Sequence, residues 1–206
     1  HFKKALAQGK IDYLFGDSTH MIQAISPENN STHNIFMGSG SFASELANEK
    51  NFPYHFVAGA TYGGQQQLLV DYVNDSYGSK AKLAIMHSSS SYGRDGIELA
   101  KARAAGYGIE VVSVQQTKFV ESDVSAFALA IRQAKPTHVL VHGYSFSVWP
   151  EVIRLVRDFG MKDVVFMGTI WQNEREKVLK LKDIADGLIG IKVFTNDTKN
   201  TKGPMM

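Results

Sequence analysis

Strand-like and helix-like segments alternate regularly along this chain. Short apolar runs recur about every 25 to 30 residues, and segments with apolar residues at helical spacing separate them. Such alternation is typical of βαβ units, in which helices join parallel strands. The sequence therefore predicts an α/β fold with doubly wound, mostly parallel sheets. The strand-like runs are IDYLFG, NIFMG, YHFVAGA, KLAIMHS, IEVVSVQQ, THVLVHGY, DVVFMGT and GLIGIKVF.

The helices between these runs show both periodicity and end signals. Glycine stands just beyond two apolar periodic segments, in AAGYG and DFGM, where helices commonly end. One helix follows a serine-rich turn after KLAIMHS. The others are predicted over residues 21–25, 65–77, 124–133 and 148–159.

The strands fall into two groups on either side of the glycine-rich junction FVAGATYGGQQQ. This junction fits either a flexible crossover or an ordinary loop. We expect a partial first lobe over residues 1–63, a second lobe over 64–194, and a crossover or linker tail over 195–206. The first group holds only two or three strands, too few to cover both faces of a sheet. The start FKKALAQGK also resembles the end of a helix, and the tail TNDTKNTKGPMM has no periodicity, so the chain is expected to be incomplete at both ends.

Composition excludes several classes of protein. With 22 basic and 20 acidic residues scattered along the chain, the formal charge of +2 is too balanced for a nucleic-acid-binding surface. The absence of cysteine excludes disulfides, thiolate nucleophiles and cysteine metal sites. No apolar run reaches transmembrane length, and the start HFKKALAQGK is not a signal peptide, so this segment is not expected to insert into a membrane.

Motifs for catalysis or cofactor binding are weak. GSGSFA, residues 38–43, matches the dinucleotide-binding pattern GxGxxA, but neither a long helix nor a second strand with a ribose-binding acid follows it. The chain contains no phosphate-binding loop of the GxxxxGK[ST] type and no GxSxG nucleophile motif. The sequence therefore predicts neither an enzymatic activity nor a cofactor.

The histidines do not form a metal-binding pattern. His138 and His142 lie on the same side of a strand, too far apart along it to share a metal ion, and no HExxH motif exists. No metal site is predicted. His87 and His142 end apolar strands, where a ligand contact and a buried imidazole with satisfied hydrogen bonds both fit.

The serine-rich turn in KLAIMHSSSSYGRDG lies at the carboxyl end of a predicted buried strand. In open α/β sheets, ligands bind at this end, next to the free N–H groups of the following helix. Ser88 to Ser91 either line such a site or only cap the helix. Tyr92, which follows them, is the more specific candidate.

The order of several segments resembles the periplasmic leucine/isoleucine/valine-type solute-binding proteins of ABC transporters. These segments are KIDYLFG, NIFMGSGSFASELA, KLAIMHSSSSYGRDGIELAKARAAGYGIEVVSV, ESDVSAFALAIRQAKPTHVLVHGY and PEVIRLVRDFGMKDVVFMGT, and the resemblance covers residues 10–194. It implies two Rossmann-like lobes, joined by three crossovers, that close on a small ligand. It also implies that the opening strand, helix and strand of lobe one and everything after the second crossover are missing here.

This resemblance implies a protein that delivers its ligand to an ABC transporter permease. The expected location is periplasmic or extracellular, with or without a lipid anchor. Two other classes stay open: a ligand-sensing receptor ectodomain with the same lobes, and a Rossmann-type enzyme that binds a nucleotide through GSGSFA.

Site residues follow from the same resemblance. Loops resembling GDSTH and GSGSFASE hold the ligand carboxylate from lobe one, and the tyrosine of a YG turn and an aromatic residue after the third strand of lobe two close on it. The residues implied by these four positions are Ser18, Thr19, His20, Gly40, Ser41, Phe42, Tyr92 and Tyr144.

One segment departs from the family pattern. Amino-acid binders of this family carry an acidic residue just after the FMG strand, whereas this chain has Thr169, Ile170 and Trp171 there. A buried ammonium without a counter-charge is costly, so a zwitterionic ligand requires that Glu174 reach the site. Aromatic walls, with Trp171 added to the site, favour a flat or apolar organic acid or an amide. The alternative is that Trp171 packs in the core or on the surface.

Overall fold

The computed structural model describes residues 2–9, 11–144 and 147–193. The predicted tail, residues 195–206, lies outside this part of the chain. The strands are β1 Tyr13–Gly16, β2 Phe36–Ser39, β3 His55–Phe56, β4 Lys82–Ser88, β5 Glu110–Thr117, β6 His138–His142, β7 Val165–Gly168 and β8 Ile189–Gly190. The helices are α1 Phe2–Gln8, α2 Thr19–Glu28, α3 Tyr62–Tyr77, α4 Ser91–Arg94, α5 Ile97–Gly106, α6 Ser125–Ala134, α7 Trp149–Asp158 and α8 Arg175–Leu181.

The first sheet contains β1, β2 and β3 in that order, with parallel pairing throughout. On one face, Met37 of β2 packs in a buried cluster with Ile22 of α2 and Leu46. On the other face, large aromatic side chains are solvent-exposed. These are Tyr13, Phe15, Phe36 and Phe56.

The second sheet has the strand order β5-β4-β6-β7-β8, and all of its pairs are parallel. Successive residues of its central strands point to opposite faces, and each face has a hydrophobic core. Leu83 and Ile85 of β4 pack with residues of α3 and α5, whereas Ala84 and Met86 pack with residues of α6 and α7. Full burial of each large apolar side chain contributes about 1.5–3 kcal/mol. The predicted α/β fold with parallel sheets is confirmed.

Element boundaries differ from the sequence predictions where local capping decides them. The helix predicted to start at residue 65 starts at Tyr62, because the Thr61 hydroxyl accepts a hydrogen bond from the N–H of Gly64 (3.2 Å) and caps it. The proposed lobe boundary between residues 63 and 64 therefore lies in the first turn of α3. The helix predicted after the serine-rich turn is divided into α4 and α5 at Gly96, which has a left-handed φ of 77°. None of the described helices is long and apolar enough to span a membrane.

Candidate functional site

A cavity of about 210 Å³ lies where the carboxyl ends of the two sheets meet. Residues that follow β1, β2, β4, β6 and β7 contribute to its wall, as expected for an α/β ligand site. The α3 and α8 helices contribute one residue each. The lining residues are Asp17, Ser18, Thr19, Gly40, Ser41, Tyr62, Tyr92, Tyr144, Trp171, Glu174 and Lys177.

Small hydroxyl residues form the wall on the side of the first sheet. The Ser18 hydroxyl caps α2 by accepting from the N–H of Met21 (3.3 Å). The hydroxyls of Thr19 and Ser41 lie 2.6 Å apart, and the N–H of Ala43 donates to Ser41 Oγ (3.2 Å). The first turn of α2 also presents N–H groups that lack intrahelical acceptors. This wall can bind a carboxylate or another group that accepts hydrogen bonds.

Aromatic rings form the opposite wall. Tyr92 lies 4.5 Å from Tyr62 and 4.9 Å from Tyr144, measured between ring centroids. The indole N–H of Trp171 donates to the Tyr62 hydroxyl (2.8 Å). Phe42 packs behind this wall, with its ring 5.9 Å from Tyr62 and 6.2 Å from Trp171. The rings offer apolar contact area for a compact ligand.

Burial raises the pKa of the tyrosine hydroxyls that line the cavity. It raises the pKa of Tyr62 to about 12, although the hydrogen bond from Trp171 opposes this shift. Burial also raises the pKa of Tyr92 well above its usual value, and the pKa of Tyr144 is raised by burial and by the charge of Asp17. The Tyr92 hydroxyl is buried without a hydrogen bond of ordinary geometry in the described part of the chain. These phenols can therefore donate hydrogen bonds to a ligand at neutral pH.

Charged groups also line the cavity. Lys177 Nζ forms an ion pair with Glu174 Oε2 (2.7 Å) and donates to the backbone carbonyl of Trp171 (3.0 Å). Asp17 supplies a second carboxylate. Since Glu174 reaches the cavity, the absence of an acidic residue directly after β7 does not exclude an amine-bearing ligand.

The structure brings most of the predicted site residues to one cavity. Ser18, Thr19, Gly40, Ser41, Tyr92, Tyr144 and Trp171 line it, and their contact with a ligand stays a prediction.

His20 and Phe42 are outside the described wall. His20 is exposed, and its Nε2 atom lies 3.1 Å from Ser91 Oγ, so it contacts the serine-rich turn instead. Phe42 is only 3% exposed and belongs to the hydrophobic cluster behind the wall.

The sequence analysis did not predict Asp17, Tyr62 and Lys177 as site residues. It named Glu174 only as the carboxylate that a zwitterionic ligand would require. Asp17 lies inside the quoted GDSTH loop, so its position was a usable signal. Tyr62 begins α3 in the glycine-rich junction, where no strand end marks a ligand site. Lys177 is on α8, which was not predicted.

Two alternatives left open by the sequence have structural answers. The ring nitrogens of His142 each lie 2.8 Å from a polar atom, Thr169 Oγ1 and the Tyr92 carbonyl, so His142 is a buried imidazole held by protein groups and does not line the cavity. GSGSFA leads from β2 into the cavity wall and then into a single turn of 3₁₀ helix at Ser44–Ala47, not the long helix of a dinucleotide site. Within the described ranges, no group of three or more His, Asp or Glu side chains could hold a metal ion.

A family model described as a periplasmic binding protein matches residues 1–203 of the chain. A comparison with curated proteins finds no match.

Several solved structures share the fold. A branched chain amino acid ABC transporter from Thermus thermophilus with bound valine is 21% identical, with a TM-score of 0.84 over 92% of this chain and 48% of that chain. A solute binding protein of an ABC transporter from Rhodopseudomonas palustris BisB5, in complex with 3,4-dihydroxy benzoic acid, is 15% identical, with a TM-score of 0.73 over 90% and 51%. A fatty acid ABC transporter substrate-binding protein from Thermomonospora curvata is 19% identical, with a TM-score of 0.71 over 86% and 44%. The chain spans about half the length of these structures.

Proposed function

The chain belongs to the periplasmic binding protein family, and on that premise we propose that its protein is an extracytoplasmic solute-binding protein. It captures a small organic ligand in the cavity between the two sheets and delivers it to the permease of an ABC transporter. The observation that carries this proposal is the cavity itself. Hydroxyl residues that follow β1 and β2 of the first sheet face Tyr92, Tyr144 and Trp171, which follow strands of the second sheet, and Tyr62 of α3 completes the aromatic wall.

The cavity favours a compact ligand with a carboxylate. Its volume of about 210 Å³ is below the ~300–1,000 Å³ of pockets for drug-sized ligands. Thr19 and Ser41 supply hydroxyls for a carboxylate, and Tyr92 and Tyr144 supply rings for an apolar body. Glu174 and Asp17 add carboxylates for an amine. The ligand class is therefore a small organic acid, amide or amino acid, as in relatives that hold valine or 3,4-dihydroxybenzoate.

A ligand screen on the full-length protein tests the proposal. Thermal-shift measurements and calorimetry should be run with branched-chain amino acids, hydroxybenzoates, short amides and fatty acids. We expect one class to raise the melting temperature and to be recovered chemically unchanged. Failure of every class, or recovery of an altered compound, would contradict the proposal.

Substitution of the aromatic wall then locates the site. Because Tyr144 is only partly buried, Tyr144→Ala should weaken binding of the ligand found in the screen by about 1–3 kcal/mol at a small cost in stability. Tyr92 is 2% exposed, so Tyr92→Ala should also lower the free energy of unfolding, by about 3–5 kcal/mol. Tyr72→Ala, at an exposed ring of α3 away from the cavity, is the matched control. Unchanged affinity in Tyr144→Ala would show that Tyr144 does not contact the ligand.

A further inference from the structure

Two side chains at the ends of neighbouring strands hold the backbone of the two cavity tyrosines in a crossed arrangement. Ser88 ends β4, and its hydroxyl accepts a hydrogen bond from the N–H of Tyr144, which follows β6 (2.9 Å). His142 ends β6, and its Nε2 atom lies 2.8 Å from the backbone carbonyl of Tyr92, which follows β4. The last residue of β4 therefore holds the backbone of the tyrosine that follows β6, and the last residue of β6 holds the backbone of the tyrosine that follows β4.

The hydrogen-bonding roles of His142 follow from its partners. A carbonyl oxygen only accepts, so His142 Nε2 carries the proton that is donated to Tyr92. Burial lowers the pKa of His142 to about 3, so the imidazole is neutral near pH 7 and its Nδ1 atom is an acceptor. Thr169 Oγ1 lies 2.8 Å from Nδ1, and its hydroxyl donates to Gln172 Oε1 (2.7 Å). Gln172 Nε2 in turn donates to the carbonyl of Gly143 (2.6 Å), the residue before Tyr144.

This network is buried and closely packed, so its geometry has little freedom. His142 and Thr169 are fully buried, and Ser88 and Gln172 are each 1% exposed. A Cβ atom added at Gly93 or Gly143 would lie only 2.1 or 2.3 Å from Ser88 Oγ. Because glycine has no side chain, both positions provide the room that the Ser88 side chain needs. The Ser88 hydroxyl is also 2.9 Å from that of Ser90, which caps α4 by accepting from the N–H of Gly93.

From this geometry we propose that Ser88 and His142 are positioning residues that set the places of Tyr144 and Tyr92 in the cavity wall. Neither residue lines the cavity, so each acts through the backbone of a tyrosine that does. The expectation that Ser88 and His142 affect ligand affinity rests on the proposed function. Their positioning of Tyr144 and Tyr92 does not depend on it. Thr169, which follows β7 and is not among the residues that line the cavity, then serves to orient His142.

Hydrogen exchange and NMR on the ligand-free, full-length protein test the positioning. In Ser88→Ala, the amide of Tyr144 loses its acceptor and should exchange about 5- to 30-fold faster. Ser89→Ala is the matched control, because the Ser89 side chain makes no hydrogen bond to any residue in the described part of the chain. Nitrogen-15 NMR of the wild-type imidazole should show His142 as the neutral Nε2–H form. An unchanged Tyr144 exchange rate in Ser88→Ala, or the Nδ1–H form of His142, would overturn the proposal.

Binding measurements with valine and 3,4-dihydroxybenzoate as probes test the consequence. His142→Leu should weaken binding of whichever probe the wild type binds by about 5- to 30-fold, and His142→Gln should restore part of the loss, because its amide can donate where Nε2 does. His138→Leu removes another buried imidazole of β6, at the far end of the strand, and should lower stability without changing Kd. Equal weakening by His138→Leu and His142→Leu would refute specific positioning. If the wild type binds neither probe, the proposed function fails for these ligands, and the exchange and NMR results still decide the positioning.

Discussion

Buried histidines are an unusual feature of this chain at the scale of single residues. His138 and His142 are fully buried, and burial lowers their pKa values to about 4 and about 3. Burial also lowers the pKa of His55 and His87. Each of these imidazoles is therefore neutral in the folded protein at a pH where it would be protonated in the unfolded chain.

Stability should fall as the pH drops below about 6.5. The unfolded chain binds protons at its ordinary histidine pKa of about 6.5, whereas the folded chain resists protonation until the pH approaches 3 to 4 at His138 and His142. The stabilising contribution is therefore complete above pH 6.5 and is lost progressively below it. At pH 5 the loss should reach up to about 2 kcal/mol for each of these two residues.

Chemical denaturation of the full-length protein between pH 7.5 and pH 5 measures this loss. His138→Gln removes one titrating group, so its stability should fall less steeply with pH than that of the wild type. Leu129→Gln, at an exposed residue of α6, removes no titrating group and should keep the wild-type slope. If the free energy of unfolding of His138→Gln falls with pH as steeply as that of the wild type, His138 does not contribute to the loss of stability.

Residues that line the cavity could be predicted from the sequence where they directly follow a recognisable strand. Tyr92 and Tyr144 follow continuous apolar strands, so a sequence pattern places them at the cavity. Tyr62 could not be found in this way, because its place in the wall depends on where α3 starts relative to both sheets. The sequence shows that Thr169 follows β7, but only three-dimensional packing shows that its hydroxyl lies 2.8 Å from His142 Nδ1.

At the scale of elements, the segment between β4 and α5 joins the two sheets. The carboxylate of Asp95 accepts hydrogen bonds from both the N–H and the hydroxyl of Ser44, at 2.9 and 3.0 Å. Gly96 then packs against Gly63 of α3, and a Cβ atom added at Gly96 would lie 2.7 Å from the Gly63 Cα. Helical periodicity predicts that a helix follows the serine-rich turn, but the break at Gly96 is set by this tertiary contact and was not predictable.

Removal of the Asp95 carboxylate should destabilise the protein. Asp95→Ala leaves the partly buried N–H and hydroxyl of Ser44 without their acceptor, which should lower the free energy of unfolding by about 1–3 kcal/mol. Asp95→Asn keeps a carbonyl oxygen as acceptor and should lose less. Denaturant titration compares both with Asp158→Ala, which breaks only an exposed ion pair with Arg154 and should cost less than about 1 kcal/mol. Equal losses of unfolding free energy in Asp95→Ala and Asp158→Ala would show that the contact with Ser44 stabilises the protein no more than an exposed ion pair does.

At the scale of the whole molecule, the two sheets differ in how well they are covered. The second sheet has a hydrophobic core on each face. The first sheet has one buried face, while Tyr13, Phe15, Phe36 and Phe56 on the other face are 48–69% exposed. Parallel sheets are normally covered on both faces, and adjacent exposed aromatic rings favour association. The sequence predicted this imbalance, because the first group of strands is too small to cover two faces.

Residues 1–206 expressed alone should therefore self-associate through the first sheet. We expect this chain to scatter light as an oligomer and to bind an apolar dye. The first-sheet amides should also exchange faster than those of β4 and β6, since unpaired edges and an uncovered face leave them less protected. Phe15→Ser and Phe36→Ser should reduce association, because they remove the two most exposed rings of this face. Leu179→Ser, at an equally exposed apolar residue of α8, should not. A stable monomer with uniform protection in both sheets would show that the exposed aromatic face needs no further cover.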